Sequence, residues 1–208
     1  MRLPCWLNLT LVIPSGILPD MNNRDVILEN ALLHFASYGY EAAVIQDICD
    51  ASGITKPTLY HYFRSKRGLM EALLKENFTP FIARLNDACD YRRDLTLNLE
   101  QVIRAYFRFA ESNPLFYKLQ YAMRNAPTRS ETYEIIRPWV KAQYEPVHSL
   151  FSKAEADHGN LRGHANANTI TLHGMIHAYI HQAFEDNSYL EDEILYRARQ
   201  QFMYGIFS

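Results

Sequence analysis

The amino-acid sequence predicts an all-α protein, and three observations support this fold class. Apolar residues recur at three- and four-residue spacings along most of the 208-residue chain, which is the pattern of amphipathic helices. No alternating pattern long enough to indicate a β-strand occurs. Glycine and proline gather between the helical patterns, at Pro114, at Pro127 and over residues 157–164. With 48% hydrophobic and 21% charged residues, the composition is that of an ordinary globular protein.

Three helices are predicted before residue 64, and longer ones follow. The apolar stripe of the first consists of Val26, Ile27, Ala31, Leu32 and Phe35. Asn22 or Asn23 can cap this helix and Gly39 can end it. Later helical patterns cover residues 66–89, 98–112, 114–125, 130–156, 166–187 and 191–206. Because Pro138 and Pro146 lie inside one of them, we expect that helix to be kinked or divided.

The stretch QDICDASGITKPTLYHYF, residues 46–63, contains two helices that are too short to be stable alone. They can share a small core of Ile48, Ala51, Ile54, Leu59 and Phe63. Gly53 offers the positive φ that a helix end needs, and Thr55 can cap the next helix through its hydroxyl. Pro57 is tolerated in a first turn, where its missing N–H is not needed. The stretch therefore predicts a helix-turn-helix at about residues 45–64.

The second of these helices carries polar side chains that the small core does not need. They are Lys56, Thr58, Tyr60 and His61, and all of them can donate or accept hydrogen bonds. A short surface helix can also carry such residues without any binding function. On the turn pattern alone, DNA binding and a structural role both remain open.

The residues that follow favour DNA binding. Between residues 55 and 67 there are four Lys or Arg and no Asp or Glu, although the whole chain has a net charge of −2. Ser65 is a predicted cap, and Lys66 and Arg67 directly follow it. Cations at a helix N-terminus oppose the helix dipole, whereas the free amides there can bind an anion. If a phosphate binds to these amides, Lys66 and Arg67 can pair with it, and their position at the helix N-terminus becomes favourable.

Further residues complete a recognisable pattern over residues 24–74. Its members are Arg24, Ile27, Ala31, Phe35, Gly39, Tyr40, Asp47, Ile48, Ala51, Gly53, Ile54, residues 55–60, Tyr62, Phe63, Ser65, Lys66 and Leu69. This pattern resembles the DNA-binding domain of the TetR family of bacterial transcriptional regulators. The sequence departs from the family at Ala43, Cys49 and Pro57, where a capping Thr or Ser, an Ala and a Gly are usual.

The resemblance implies a DNA-binding regulator that forms a homodimer and binds a palindromic double-stranded operator in the cytoplasm. Residues 22–82 would be the helix-turn-helix domain, and residues 83–208 the ligand-binding and dimerisation domain. The expected DNA contacts are Gln46, Thr55, Lys56, Pro57, Thr58, Tyr60, His61 and Lys66. No cofactor, no resident metal and no membrane partner is expected.

The last two helical patterns are expected to form a four-helix dimer interface with a second copy. Residues 166–187 carry apolar side chains over most of the helix circumference, and residues 191–206 carry a second apolar stripe. The expected interface residues are His173, His177, Ile180, Phe184, Ile194, Ala198 and Phe202. The alternative is that both helices only complete the core of a monomer.

The C-terminal half is rich in aromatic residues, and a helical bundle of this kind can hold a small-molecule cavity. The expected pocket residues are Tyr106, Phe109, Tyr117, Tyr121, Trp139, Tyr144, Met175 and Tyr179. Aromatic stripes more often belong simply to a core. The sequence contains no glycine-rich phosphate loop, no G-x-S-x-G and no HExxH motif, so an enzyme is not expected.

Three histidines recur every four residues, at positions 173, 177 and 181. An i, i+4 pair of histidines can chelate zinc, nickel or copper, which leaves a metal-responsive regulator as an alternative. No acidic or cysteine partner is close in sequence. The histidines can equally flank the dimer seam or line a polar edge of the pocket.

We therefore expect a homodimeric repressor that a small apolar or aromatic effector of unknown identity releases from its operator. A constitutive DNA-binding module with a filled core remains the alternative. The fourth helix, about residues 66–89, is the expected lever: Leu69, Leu73 and Leu74 should pack on the DNA-binding domain. Its Phe78, Phe81, Ile82 and Leu85 should face the bundle.

The first 21 residues are expected to be a non-native or disordered extension, with Met21 as the natural start. Asn8, Thr10 and Pro14 interrupt the apolar run, which is too short to span a membrane. A genuine extension is the main alternative.

Overall fold

The computed structural model describes residues 23–186 and 190–204, and this part of the chain is built from α-helices without any β-strand. The helices are α1 (Asn23–Ala42), α2 (Ile45–Ala51), α3 (Lys56–Phe63), α4 (Lys66–Ala88), α5 (Leu95–Ser112), α6 (Pro114–Arg124), α7 (Glu131–Ala154), α8 (Ala165–Glu185) and α9 (Asp192–Tyr204). A 3-10 turn, Gly159–Leu161, lies between α7 and α8. The predicted all-α fold is confirmed. The predicted extension at residues 1–21 and the end of the predicted 191–206 helix lie outside the described residues.

Helix α1 keeps a helical backbone as far as Gly39, whose φ of 78° and ψ of 162° interrupt it. The chain after Gly39 forms only a short final turn before α2. Along α1, the side chains of Ile27, Ala31 and Phe35 are fully buried, as the apolar stripe predicted. The N-terminal helices therefore pack through this stripe.

Helix α4 joins the two halves of the molecule. It contacts α1 and α3 on one side and α5 and α7 on the other. In its second half, Phe78 stacks on Trp139 of α7 with ring centroids 5.3 Å apart, and Phe81 stacks on Phe109 of α5 at 4.2 Å. Helix α4 thus shares one continuous apolar core with both the helix-turn-helix and the bundle.

Helix α7 passes through Pro138 and Pro146 without being divided. Of the two predicted outcomes, a kinked or a divided helix, division is therefore wrong. A proline removes only one backbone hydrogen bond, and packing on both sides can hold the helix together across that gap. As a result, one continuous 24-residue helix runs along the C-terminal half of the molecule.

Among the described residues, none of the helices combines the length and the apolar character needed to cross a membrane.

Candidate DNA-binding surface and effector cleft

The turn between α2 and α3 has the geometry that the sequence predicted. Gly53 has a φ of 65°, and the N–H of Ile54 donates to the Cys49 carbonyl at 3.1 Å. Ile48, Leu59 and Phe63 are buried in the expected small core, and Ile54 is half-buried. Ala51, which was expected in the same core, is exposed.

Thr55 occupies the predicted cap position of α3, but its hydroxyl does not accept from a backbone amide. Its Oγ1 lies 2.9 Å from the Oγ1 of Thr58 instead. The predicted capping hydrogen bond is therefore wrong. Thr58 stands three residues after Thr55. Its hydroxyl and its backbone N–H therefore compete for the same partner, the Thr55 hydroxyl oxygen.

The predicted DNA-contacting residues are all at least partly accessible. Gln46, Thr55, Lys56, Pro57, Tyr60 and His61 are exposed, and Thr58 and Lys66 are half-buried. The Gln46 amide nitrogen donates to the Asp50 carboxylate at 2.7 Å, which holds it along α2. Helix α3 thus presents polar, aromatic and basic groups on one exposed face.

Helix α4 starts with the predicted cap: the Ser65 hydroxyl accepts from the Gly68 N–H at 2.9 Å. Gly68 also allows a close approach, since a Cβ at this position would overlap the carbonyl oxygen of Phe63, the last residue of α3. Any larger residue would push the two helices apart. Helices α3 and α4 are therefore locked together at this turn.

Lys66, predicted to bind phosphate, makes contacts within the protein. Its ammonium donates to the Glu41 carbonyl at 3.0 Å and lies 4.9 Å from the centre of the Tyr40 ring. Burial lowers the pKa of Lys66, although the nearby Glu41 and Glu131 carboxylates oppose this effect. A cation in this place stabilises the C-terminal end of α1. A phosphate contact by Lys66 stays a prediction.

A polar cluster connects the start of α4 to the start of α7; we call it the α4–α7 junction, formed by Glu41, Lys66, Arg67, Glu131, Thr132 and Glu134. Arg67 pairs with Glu71 at 2.8 Å, and its guanidinium lies 3.8 Å from both Glu131 and Glu134. The Thr132 hydroxyl donates to the Glu41 carboxylate at 2.8 Å. The first turn of α7 is thus tied to the helix that follows α3.

A cleft of about 420 Å³ opens between α6, α7 and α8. Its lining residues are Tyr121, Arg124, Asn125, Tyr133, Arg137, Val140, Gln143, Tyr144, Ile170, His173, Gly174 and His177. Of the eight predicted pocket residues, only Tyr121 and Tyr144 line this cleft. It is open to solvent, because Asn125, Arg137 and Ile170 at its rim are exposed.

The other six predicted pocket residues lie elsewhere. Tyr106 and Tyr117 are buried behind the cleft, and Phe109 and Trp139 pack in the core around α4. Met175 and Tyr179 are absent from the lining, and the Tyr179 hydroxyl donates to Gln201 of α9 at 2.8 Å. Aromatic content alone did not distinguish core from pocket.

Two neutral histidines form the floor of the cleft. The Nδ1 of His173 lies 2.9 Å from the Thr169 carbonyl, which can only accept, so this nitrogen carries the proton. The Nε2 of His173 must then accept from the Tyr106 hydroxyl at 2.9 Å. Burial lowers the pKa of His173 to about 4, and the Arg124 charge adds to this effect.

His177 has the same tautomer for a related reason. Its Nε2 lies 2.6 Å from Nη1 of Arg124, which can only donate, so Nδ1 carries the proton and donates to the Tyr117 hydroxyl. Burial and Arg124 hold the pKa of His177 well below its usual value. A metal ion would have to displace these partners, and the described residues contain no group of three or more potential metal ligands.

The predicted dimer-interface residues are buried or partly buried within the protomer, and the interface itself stays a prediction. His173, His177, Ile180 and Ala198 are buried within the protomer. The remaining three, Phe184, Ile194 and Phe202, are partly buried against its core. The exposed face of α8 instead carries Thr171, Gly174, Ala178, Gln182 and Glu185. With apolar residues on most of the circumference, periodicity could not tell which side faces the core.

Several cleft residues were missed in the sequence, above all Arg124, Tyr133 and Arg137. A weak signal was present for Arg124 alone, which stands three residues before the break at Pro127, because Arg137 lies ten residues after it, inside α7. Charged residues at helix ends are too common for this signal to single it out. Only the packing of α6 against α7 brings these side chains together.

Comparison with known proteins agrees with the helix-turn-helix geometry. Residues 27–73 match the family model described as bacterial regulatory proteins, tetR family. The chain is 31% identical over 102 residues to the HTH-type transcriptional activator FasR of Mycolicibacterium smegmatis, which covers 49% of this chain and 47% of that protein. It is 38% identical over 66 residues to the HTH-type transcriptional repressor ComR of Escherichia coli, covering 32% of this chain and 31% of that protein. The chain thus spans about half or less of the length of the curated relatives it matches.

Solved structures share the whole fold at low sequence identity. The regulator FadR of Bacillus subtilis, solved in complex with stearoyl-CoA, has a TM-score of 0.73 at 18% identity and covers 87% of this chain and 98% of its own. The TetR family regulator PfmR of Thermus thermophilus has a TM-score of 0.71 at 21% identity, covering 90% of this chain and 99% of its own. Residues 27–73, from α1 to the first half of α4, thus match the tetR family of bacterial regulatory proteins, and the solved structures show that the overall fold is shared.

Proposed function

We propose that this chain is a cytoplasmic DNA-binding transcriptional repressor whose operator affinity is controlled by a small molecule in the cleft between α6, α7 and α8. The observation that carries the proposal is that the start of α7 contributes both to the cleft and to the ion pairs with α4. Tyr133 and Arg137 line the cleft, while Glu131 and Glu134 on the same two turns pair with Arg67 of α4.

The DNA-binding part of the proposal rests on the exposed face of α3. In a helix-turn-helix, the second helix enters the major groove and its polar side chains contact base edges and phosphates. Lys56, Tyr60 and His61 are exposed on this helix, and none of them forms an ion pair within the described residues. Such groups are available to bind DNA.

The coupling route begins at α7 and enters α4 at its first turn. A ligand that moves Tyr133 or Arg137 also moves Glu131 and Glu134, because they share one helix. Arg67 follows through its ion pairs, and Gly68 transmits the shift to Phe63 at the end of α3. Helix α4 thus keeps the role of lever that the sequence suggested, and the ligand would act on it through its first turn.

The proposal includes a homodimer that binds a near-palindromic operator. Two recognition helices can occupy successive major grooves when they lie about 34–36 Å apart. The exposed α8 face of small and polar residues, including Ala178 and Gln182 outside the cleft lining, allows close approach of a second helix. Tyr196 and Tyr204 of α9 add exposed aromatic surface.

A constitutive module without an effector is the second candidate function. A filled core would favour it, whereas a cleft of about 420 Å³ lies within the size range of small-molecule sites. The ligand-responsive proposal is therefore the stronger one.

Selection from random DNA followed by binding titrations tests the DNA-binding role. We expect enrichment of a near-palindrome, and Lys56→Ala should lower the salt dependence of its binding by about one unit, because one phosphate contact is lost. Lys75→Ala on the exposed side of α4 is the matched control and should leave the slope unchanged. Failure to enrich any sequence, or equal slopes for both variants, would contradict the proposed interface.

The oligomeric state tests the proposed α8 face. Ala178→Glu should convert a dimer to a monomer in light scattering, since an unpaired charge in an interface costs several kcal/mol. Ala122→Glu, on the exposed side of α6, should remain dimeric. A dimer that tolerates Ala178→Glu would show that another surface is used.

A further inference from the structure

We propose that the cleft between α6, α7 and α8 binds an organic oxyanion whose charged group is held by Arg124 and Arg137. This inference rests on the proposed function and names the chemical class of ligand for the same site. It adds a charge to the apolar or aromatic effector that the sequence suggested.

The charge of the cleft is the first argument. Its lining contains two arginines and no aspartate or glutamate. Within the described residues neither arginine forms an ion pair, whereas Arg67, Arg104 and Arg199 are each paired with carboxylates. The cleft therefore carries two positive charges without a carboxylate partner from the part of the chain that the structure describes.

The position of Arg124 is the second argument. It is half-buried in the last turn of α6, and its Nη1 donates to His177 at 2.6 Å. A guanidinium has five N–H donors, so this bond fixes the side chain and leaves four donors. A partly buried cation that lacks an anionic partner is costly, and a bound oxyanion would offset this cost.

The neutral groups beside the arginines also suit an anion. His177 and His173 already direct their protons to Tyr117 and Thr169, so neither adds or removes charge. Tyr121 and Tyr133 line the cleft, and among the described residues their hydroxyls make no side-chain hydrogen bond. These hydroxyls can donate to an oxyanion that the arginines hold.

The remaining wall defines the rest of the ligand. Val140, Ile170 and the Tyr144 ring give an apolar side on which an aromatic or aliphatic body can lie. The volume of about 420 Å³ fits a compact, drug-sized molecule. A second cleft of about 450 Å³, between α5, α8 and α9, is lined without any arginine or lysine, so it lacks the feature on which the anion preference rests.

Calorimetric titration of the full chain, without DNA, tests the inference with a matched set of probes. The probes are 2-naphthoate, 2-naphthyl phosphate and the neutral 2-naphthamide, which share one aromatic body. We expect at least one of the two anions to bind about tenfold to hundredfold more tightly than the amide, as charge-assisted hydrogen bonds do. The stronger of the two identifies a carboxylate or a phosphate as the preferred group.

Substitutions then connect this preference to the arginines. Arg137→Gln and Arg124→Gln should each reduce the preference about tenfold. Arg129→Gln, which removes an exposed arginine of the α6–α7 connection outside the lining, should keep it. Arg124→Gln also loses the hydrogen bond to His177, so its thermal unfolding is measured to detect any loss of stability. Arg137 is exposed, so Arg137→Gln tests the anion preference without that complication.

Equal binding of all three probes, no binding of either anion at millimolar concentrations, or a preference that survives both substitutions would overturn the inference. These results do not depend on operator DNA. Loss of the anion preference would leave a DNA-binding regulator with another effector, whereas anion binding that never alters DNA affinity would contradict the proposed function instead.

Discussion

Helix α7 separates two polar networks of opposite character. At the α4–α7 junction, full charges meet near the surface: Arg67 and Glu131 each keep 45% of their side-chain surface exposed at a separation of 3.8 Å. In the floor of the cleft, neutral groups meet in the interior, where His173 and His177 keep only 7% and 6% exposure. The contacts of Arg67 with Glu131 and Glu134 are long and screened, whereas those of the cleft floor are short hydrogen bonds.

This difference assigns different roles to the two sides of the helix. Exposed ion pairs contribute little to stability and are easily rearranged. Buried hydrogen bonds cost much more to break, because the group left behind has no water to bind. The floor therefore fixes the shape of the cleft, while the junction can adjust when the start of α7 moves.

The largest expected effect comes from protonation of the floor. Because the folded state holds the pKa of His173 at about 4 against 6.5 for the free side chain, the unfolded state binds more protons between these values. Stability present above pH 6.5 is thus lost as pH falls toward 4, by roughly 3 kcal/mol from His173. Urea unfolding of the parent and His173→Gln at several pH values measures this, and the variant should lose correspondingly less.

His181→Gln, on an exposed position of the same helix, is the control and should keep the pH dependence of the parent. An unchanged pH dependence in His173→Gln would mean that the floor does not exclude protons.

Removal of one floor hydroxyl should have the next largest effect. Tyr106→Phe leaves Nε2 of His173 without a donor in the interior and should lower the free energy of unfolding by about 1–3 kcal/mol. Tyr144→Phe loses a hydroxyl contact with Asn166 at the surface, and it should lower the free energy of unfolding by less than Tyr106→Phe does. Similar losses in the two variants would remove the distinction between floor and rim.

The smallest expected change in stability belongs to the junction. Glu131→Gln combined with Glu134→Gln should alter the free energy of unfolding by less than about 1 kcal/mol, because these pairs are exposed. The same double substitution should change operator affinity, since Arg67 loses its link to α7. Glu145→Gln, which breaks an exposed pair with Lys141 on the same helix, is the control. Unchanged operator affinity in the double variant would exclude the junction as the coupling route.

The two sides also differ in how far the sequence predicts them. Gly53 and Ser65 were placed correctly because turn and cap chemistry depends on neighbouring residues. Thr55 was predicted at the correct cap position, but its hydroxyl meets the Thr58 hydroxyl and not a backbone amide. Local rules thus predicted the helix-turn-helix almost completely.

The cleft depends on contacts that no local rule contains. His177 meets Tyr117 across 60 positions of sequence, and His173 meets Tyr106 across 67. The histidine spacing of four suggested a metal site, a dimer seam or a polar edge of the pocket, and the spacing alone could not decide among them. Burial against α5 and α6 instead gave each ring a hydrogen-bond partner, and only the folded packing determines this.

The close approach at Gly68 has a consequence for protein engineering. Regulators are often given new DNA specificity by exchange of the recognition helix, as if that helix were a separate part. Here the Phe63 carbonyl fills the space where a side chain at position 68 would stand, so the angle of α3 depends on a residue outside it. The smallest transferable cassette therefore runs from the start of α2 through Gly68. A graft that ends at Phe63 would retain its specificity only in a host with glycine at the equivalent position.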